Sequence, residues 1–343
     1  MKLIFMGTPE FAVPFLETLH QSHHTVSLVV TQPDKPKGRG QKLAAPPVKE
    51  KALELGYPVA QPVSLKTPEF HDLIRAQGAD LLVVVAYRIL PDTLFPLTRF
   101  GAVNMHGSLL PKFRGAAPIQ WAVATGEKET GVTVFQLDRE IDHGGILASA
   151  ITPIGPNETA GDLFNRLKEL GKDVLMQVLE DMEAGRTHPT QQDDSASSPA
   201  PKLKKEDGRL DFRLSAQTLH NRVRGFNPYP ICYGVTSSSQ RILRIHSTRV
   251  ELQPSLSSFG DGGHASGSLN PVGGIKGKAI PGTVTMSVDR YPLVATCEGW
   301  LKLMEVQWEG KPKVSGPDFL NGLQSAEREV LHFESPGSAP TIN

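Results

Sequence analysis

An amide, an imidazole and a carboxylate lie among glycines in two short segments near the middle of the chain. Asn104 and His106 belong to NMHGSLLPKFRG at residues 104–115, and Asp142 belongs to IDHGG at residues 141–145. An imidazole with a pKa of about 6.5 can move a proton at neutral pH, and a neighbouring carboxylate can orient the imidazole. A carboxamide can donate a hydrogen bond to a carbonyl oxygen that becomes negatively charged. These residue types predict proton transfer at a reacting carbonyl group.

The spacing of these residues favours a shared site. Asn104 and His106 are two positions apart, so on an extended segment their side chains point to the same side. Glycines at positions 107, 115, 144 and 145 let the backbone come close to other groups. The alternative is that His106 is a hydrogen-bonded turn residue and Asp142 a loop cap. His143 competes as the base, but we prefer His106, because it follows an apolar strand whereas His143 lies in a polar turn.

Two further stretches could bind ligands. Ser108, Leu109, Leu110 and Pro111 offer backbone polar groups beside apolar side chains, which is typical of a site for a flat heteroaromatic ligand. A loop packed on the sheet is the equally open alternative. Residues 32–42 are basic, contain glycines and follow the second predicted strand. They could bind phosphates. A charged loop of this kind is more often simply solvated. Its candidate phosphate ligands are Lys37, Arg39 and Lys42.

The elements that must position these residues alternate along the first half of the chain. Apolar, β-rich runs at residues 3–6, 26–31, 81–86, 102–105 and 133–137 are separated by amphipathic stretches such as 9–21 and 47–55. This pattern predicts a Rossmann-like, mostly parallel sheet with helices on both faces. Ligands bind at the carboxyl ends of such strands, where Gly7, Tyr87 and Asn104 fall. The chain lacks G-x-G-x-x-G spacing after Gly7, so a nicotinamide or flavin cofactor is not indicated.

The second half of the chain has a different character. We expect an α/β domain over residues 1–186, a basic linker over 187–205 that contains Lys202, Lys204 and Lys205, a second domain over 206–334, and a disordered tail over 335–343. In the second domain a helix is predicted at 214–226. Short strands at 232–236, 241–250, 282–288, 293–296 and 301–307 suggest a small antiparallel barrel. Residues 253–277 are rich in Ser and Gly and predict a long surface loop.

Bulk composition narrows the function classes. The 343 residues exceed an ordinary single domain, and 39% hydrophobic with 21% charged residues is typical of a globular protein. The 36 basic and 36 acidic side chains balance, so a polyanionic partner must meet a local patch. Cys232 and Cys297 show neither metal-ligand nor disulfide spacing, which predicts a reducing, cytoplasmic location and no metal site. No apolar run is long enough for a membrane span.

Several segments resemble a known family. NMHGSLLPKFRGAAPIQWA together with GVTVFQLDREIDHGGILA is similar to the signature of the formyltetrahydrofolate-dependent transferases. MGTPEFAVPFLETL, VTQPDKPKGRGQKL, RVRGFNPYP and IPGTV extend the resemblance, over about residues 1 to 330, to the members that formylate methionine on initiator tRNA. One departure is the run AYRILP at residues 86–91, which is a residue shorter than the usual family segment and has Arg88 in place of glycine.

The resemblance implies an activity, a co-substrate and a partner. It implies transfer of a formyl group from 10-formyltetrahydrofolate to initiator methionyl-tRNA during translation initiation. The expected enzyme is a monomer that requires no metal and does not associate with a membrane. Asn104, His106 and Asp142 would be catalytic. Ser108, Leu109, Leu110 and Pro111 would line the folate site.

The same resemblance implies how the tRNA is held. The loop with Lys37, Arg39 and Lys42 would enter the acceptor end of the tRNA. A C-terminal OB-like β-barrel would contact the tRNA alongside Lys202, Lys204 and Lys205. Two rival functions are formyl transfer to a small amine, such as a glycinamide ribonucleotide or an amino sugar nucleotide, and a non-catalytic RNA-binding module. The basic loop and the barrel argue against the first rival, and the intact catalytic trio argues against the second.

Overall fold

The computed structural model describes residues 1–37, 42–254, 256–257, 279–324 and 331–337. Contacts divide the chain into two units. The first comprises residues 1–119, 129–154 and 162–202, and the second comprises 120–128, 155–161 and the chain from 203 onward. Residues 187–202, which we expected to form a linker, have their contacts within the first unit. The domain limits at 186, 205 and 334 stay predictions.

Eleven strands and five helices precede residue 203 in the described part of the chain. The strands are β1 (Lys2–Gly7), β2 (Thr25–Val30), β3 (Lys35–Lys37), β4 (Lys42–Ala44), β5 (Val59–Ala60), β6 (Leu81–Val85), β7 (Ala102–His106), β8 (Arg114–Gly115), β9 (Glu129–Gln136), β10 (Ile146–Pro153) and β11 (Pro199–Ala200). The helices are α1 (Val13–Gln21), α2 (Pro47–Glu54), α3 (Pro68–Gln77), α4 (Pro118–Ala124) and α5 (Ala160–Glu183).

Seven of these strands form one sheet in the order β10-β9-β7-β6-β1-β2-β5. The neighbours from β7 to β5 are parallel, whereas β9 is antiparallel to β7 and β10 is antiparallel to β9. All of β6 and all of β1 after Lys2 are buried, and strands that are buried on both faces consist of nearly continuous apolar runs. The predicted mostly parallel α/β sheet is confirmed.

Register shows which side chains share a face of this sheet. Met6 pairs with Val84, and Val84 pairs with Asn104, so these three side chains lie on one face. Met6 and Val84 pack there with Phe70 and Ile74 of α3. Helix α3 begins where the Thr67 hydroxyl accepts a hydrogen bond from the backbone of Phe70, with proline in the first turn. Asn104 therefore emerges on the α3 face, at the carboxyl end of the sheet.

The second unit is an antiparallel sheet. Its elements are α6 (Ala216–Gly225), β12 (Cys232–Val235), β13 (Ile242–Glu251), β14 (Leu256–Ser257), β15 (Val284–Ser287), β16 (Pro292–Ala295), β17 (Trp300–Trp308), β18 (Val314–Ser315) and α7 (Gly316–Asn321). The strand order is β12-β13-β17-β16-β15-β14, with β18 paired to β17. His332 forms an isolated bridge to Thr283, which directly precedes β15, and Phe333 forms one to Thr236, which directly follows β12. The predicted helix and five strands of this unit are confirmed, within a few residues at each end.

Three predictions fall wholly or partly outside the described residues: Arg39, most of the loop at 253–277, and the tail beyond 337. Within that loop, Leu256 and Ser257 form β14. No helix in the described part of the chain combines the length and the apolar character that spanning a membrane requires.

Candidate active site

Strand β7 carries both Asn104 and His106 at the place where the sheet changes from parallel to antiparallel pairing. Asn104 lies opposite Val84 of β6 on one side and Phe135 of β9 on the other. Its side chain is half-buried, and among the described residues it has no hydrogen-bond partner. The amide hydrogens of Asn104 are therefore available to a bound oxygen atom.

The hydrogen bonds of His106 indicate which ring nitrogen can react. The residue is only 5% exposed, and its Nε2 lies 2.9 Å from the backbone oxygen of Phe113. A carbonyl oxygen can only accept, so Nε2 must carry the hydrogen. The other nitrogen, Nδ1, lies 3.8 Å from Oδ2 of Asp142. Nδ1 is therefore the atom of His106 that can take up or release a proton.

Asp142 is held from the opposite side by a backbone donor. Its Oδ2 accepts a hydrogen bond of 2.8 Å from the N–H of Gly115. Asp142 itself has a φ of 54°, a left-handed conformation that a non-glycine residue adopts only when its surroundings impose it. Residues 113–115 thus contact both members of the pair, because Phe113 binds His106 and Gly115 binds Asp142.

Close backbone contacts explain two of the glycines. Gly115 has a φ of 128°, and a Cβ there would lie 2.5 Å from the backbone oxygen of Ala200. A Cβ on Gly144 would lie 1.7 Å from the backbone oxygen of Gln136. Any side chain at either position would displace the loop that carries Asp142 or the loop that binds it.

The segment after His106 is a turn held by hydroxyl groups. The Ser108 hydroxyl donates to the Lys112 oxygen at 2.7 Å, and Ser108 is fully buried. The Thr133 hydroxyl donates to the Ser108 oxygen at 2.8 Å and accepts from the Leu110 N–H at 3.1 Å.

Of the four predicted folate residues, Ser108 and Leu110 are buried within the turn, whereas Leu109 and Pro111 are partly exposed and can line a ligand site.

His143, the competing base, is engaged elsewhere. Its Nδ1 lies 3.1 Å from Asp138 and its Nε2 lies 3.3 Å from Asp194. Hydrogen bonds to Asp138 and then to Asp194 raise the pKa of His143 above its usual value. An imidazole bound between two carboxylates is a poor candidate for the reacting base, which favours His106.

A cleft of about 840 Å³ opens beside the carboxyl end of β6. The Arg88 guanidinium closes part of it by donating to the backbone oxygens of Val63 and Pro62. The cleft combines cations with exposed apolar side chains, since Val63 is 86% and Ile89 71% exposed. Its other lining residues are Ser64, Leu65, Lys66, His71, Leu90, Pro91, Asp92, Thr93 and Arg139.

The whole arrangement falls within a known protein family. The model described as "Formyl transferase" matches residues 1–179, which include the β7 pair and Asp142, and "Formyl transferase, C-terminal domain" matches residues 202–324. The chain belongs to the formyl transferase family.

Curated relatives in the family match almost the full length. A methionyl-tRNA formyltransferase of Solibacter usitatus is 43% identical over 96% of this chain and 98% of its own. One from Myxococcus xanthus is 41% identical over 99% of this chain and 98% of its own. Among solved structures, an N-formyltransferase from Helicobacter canadensis, in complex with folinic acid and dTDP-3-aminofucose, has a TM-score of 0.60 and 17% identity over 92% of this chain and all of its own. That structure shows a shared fold.

The structure describes five of the six residues that we predicted to contact tRNA. Lys37 and Lys42 pair across the β3–β4 hairpin, and Arg39 between them lies outside the described residues. Lys202, Lys204 and Lys205 are all exposed. All three of these lysines are open to solvent, as a phosphate contact requires.

The sequence does not indicate several residues that the structure places in or near the candidate site. Phe113 acts through a backbone carbonyl, so its side chain gives no signal. Thr133 lies in a predicted strand, where a single threonine is ordinary. The cleft residues 63–66 come from a loop without a motif, whereas Arg88 is visible in the sequence as a departure from the family pattern.

Proposed function

We propose that this family member transfers the formyl group of 10-formyltetrahydrofolate to the amino group of methionine carried by initiator tRNA, producing N-formylmethionyl-tRNA. The observation that carries the proposal is the pair of buried His106 and partly buried Asp142 beside an unpaired Asn104 amide. It lies in a chain whose relatives, at 41–43% identity over nearly their full length, are methionyl-tRNA formyltransferases.

The residues support direct transfer. The methionine amine, in its neutral form, forms a bond to the formyl carbon, and the bond from that carbon to N10 of the folate breaks. The amine loses one proton and N10 gains one, so the reaction needs a group that can accept and return a proton. His106 Nδ1 serves this role because Nε2 is held by Phe113. Direct transfer requires no covalent bond to the protein.

Two groups stabilise the charges that develop. Asp142, 3.8 Å from Nδ1, compensates the positive charge when His106 is protonated. The Asn104 amide donates to the formyl oxygen as it becomes negative. Because His106 and Asn104 extend from the same face of β7, they approach the reacting carbon from one side.

The cleft beside Arg88 suits the folate. Its volume of about 840 Å³ lies within the usual range for small-molecule sites. Apolar Val63 and Ile89 offer surface for aromatic rings, while Lys66 and Arg88 offer positive charge for carboxylates. Arg139 is already paired with Asp92 at 2.8 Å. Leu109 and Pro111 supply the partly exposed apolar surface next to His106.

For the tRNA, we assign phosphate contacts to lysine and arginine side chains. Lys202, Lys204 and Lys205 are candidates in the described part of the chain, together with the loop of Lys37, Arg39 and Lys42. We expect Arg39→Ala to raise the KM for tRNA and to leave the KM for 10-formyltetrahydrofolate unchanged. An unchanged KM for tRNA removes this loop from the mechanism.

A competition of acceptors tests the proposal. Three acceptors are offered separately with 10-formyltetrahydrofolate: initiator methionyl-tRNA, elongator methionyl-tRNA and glycinamide ribonucleotide. The formylated product is measured by mass spectrometry. We expect product from the initiator tRNA alone. Formylation of glycinamide ribonucleotide in preference to tRNA supports the small-amine rival, and no product from any acceptor contradicts both.

A further inference from the structure

Residues 190–200, here called the strap, cross both loops that hold the His106–Asp142 pair. At one end, Thr190 and Ile146 exchange two backbone hydrogen bonds of 2.8 Å, four residues beyond Asp142. At the other end the strap forms β11, which pairs with β8. By composition this segment resembles a linker, but its contacts lie within the first unit.

The far end of the strap fastens the loop that binds His106. The hydroxyl of Ser198 accepts a hydrogen bond of 2.9 Å from the Phe113 N–H. The backbone oxygen of Ser198 accepts another of 2.9 Å from the Arg114 N–H. Since the Phe113 carbonyl holds His106 Nε2, the strap fixes the orientation of the imidazole through one intervening residue.

Gln192 lies between these ends and binds the loop of Asp142. Its Nε2 donates to the backbone oxygens of Asp142 and Gly144, both at 2.9 Å. Its Oε1 accepts from Nε and Nη2 of Arg114, at 3.1 and 2.7 Å. Arginine only donates and carbonyls only accept, so the carboxamide can take only this orientation. The residue is 6% exposed.

We propose that Gln192 is a positioning residue for formyl transfer, which holds Asp142 at its place against His106. Asp142 has a disfavoured left-handed backbone, and such a conformation persists only where the surroundings fix it. Gln192 fixes the carbonyl of Asp142 and that of Gly144, on either side of His143. Arg114, which also pairs with Asp194 at 2.9 Å, keeps the amide of Gln192 pointed at them.

Substitution at position 192 tests this role, which rests on the proposed function for the identity of the reaction. Gln192→Met keeps the length of the side chain and removes its hydrogen bonds, whereas Gln192→Glu keeps the acceptor for Arg114 and removes the donors. We expect both to lower kcat about tenfold or more and to change both KM values less than about twofold, because loss of orientation affects the chemical step. Gln191→Ala, at the exposed neighbouring position, is the matched control.

A double-mutant cycle shows whether Gln192 acts through Asp142. In an Asp142→Asn background, Gln192→Met should lower kcat by less than about twofold, since the group that it positions has already lost its function. The same fold-change in both backgrounds overturns the proposal. If Gln192→Met lowers the melting temperature below the assay range, Arg114→Lys, which leaves Gln192 in place but removes the guanidinium fork, takes its place in the cycle.

A crystal structure separates this proposal from the assignment of the substrate. In Gln192→Met we expect Asp142 to move away from His106, beyond the separation of 3.8 Å seen here. An unchanged separation together with an unchanged kcat overturns the role of Gln192. If the wild-type protein does not formylate methionyl-tRNA, the proposed function fails, and the crystal structure still decides whether Gln192 positions Asp142.

Discussion

At the scale of single residues, the backbone decides which atom of the His106 imidazole can exchange a proton. Phe113 accepts from Nε2 of His106, so only Nδ1 can exchange a proton, and Nδ1 is the nitrogen that faces Asp142. The Gly115 N–H binds the same carboxylate oxygen and keeps it in place. The proposed acid–base role of His106 and Asp142 therefore depends on two backbone groups of a single short segment.

Replacing each member of the trio should lower turnover while the fold remains intact. We expect His106→Ala to reduce kcat about 10²–10⁴-fold, as is typical when a positioned acid–base group is lost, and Asn104→Ala and Asp142→Ala to reduce it at least about tenfold. Formylation assays measure the loss of turnover, and circular dichroism shows whether the fold remains intact. His143→Gln is the control, and its kcat should stay within about threefold of wild type. If all three trio variants keep near wild-type rates, the site is assigned incorrectly.

The pH dependence of stability should identify the role of His143. Hydrogen bonds to Asp138 and Asp194 raise its pKa in the folded state. Such a group contributes stability that is fully present below its unfolded pKa, about 6.5, and is lost as the pH rises through the folded value. The melting temperature of His143→Gln should therefore fall below that of wild type at about pH 5.5 and approach it at about pH 9. An equal difference at both pH values contradicts this account.

At the scale of elements, strands were predictable and the connections between them were not. The runs of β1 after Lys2 and of β6 are apolar because both faces are buried, and this local pattern is visible in the sequence. Asn104 and His106 followed from their spacing on such a strand. The strap has the composition of a linker. Its hydrogen bonds go to residues 113–115 and 142–146, which are distant in the sequence, and nothing in its own composition reports these partners. Gln192 was missed for the same reason.

The loop of Asp142 should not tolerate a side chain at Gly144. A Cβ there meets the Gln136 oxygen at 1.7 Å, so the loop must move and take Asp142 with it. We expect Gly144→Ala to lower kcat at least about tenfold and to lower the free energy of unfolding by about 1–3 kcal/mol. Denaturant titration and steady-state kinetics measure these effects. Gly322→Ala is the control, because a Cβ there has no contact closer than 3.5 Å and the backbone φ is −78°. Equal losses in both variants contradict the steric argument.

At the scale of the whole molecule, charge must be arranged locally if the chain binds tRNA. The 36 basic and 36 acidic side chains cancel, so no overall field attracts a polyanion. Many of the cations are also neutralised by neighbours. The Lys51 ammonium, for example, lies 3.0 Å from Glu17 and 2.9 Å from Glu54. Exposed lysines without such partners are the ones that can replace counterions on a phosphate backbone.

Lys202, Lys204 and Lys205 are exposed and form no ion pair within the described residues, and their joint replacement should change how tRNA binding responds to salt. Each phosphate contact that is lost should reduce the slope of log Kd against log salt by about 0.7–0.9. The triple alanine variant should therefore bind initiator tRNA more weakly at low salt, with a slope smaller by about two to three, while the KM for 10-formyltetrahydrofolate stays unchanged. Fluorescence anisotropy over a range of KCl concentrations measures the slope.

Lys51→Ala, which removes an already paired ammonium, should leave the slope at its wild-type value. If the triple variant also keeps the wild-type slope, these lysines do not contact phosphate, and tRNA binding must rely on other cations.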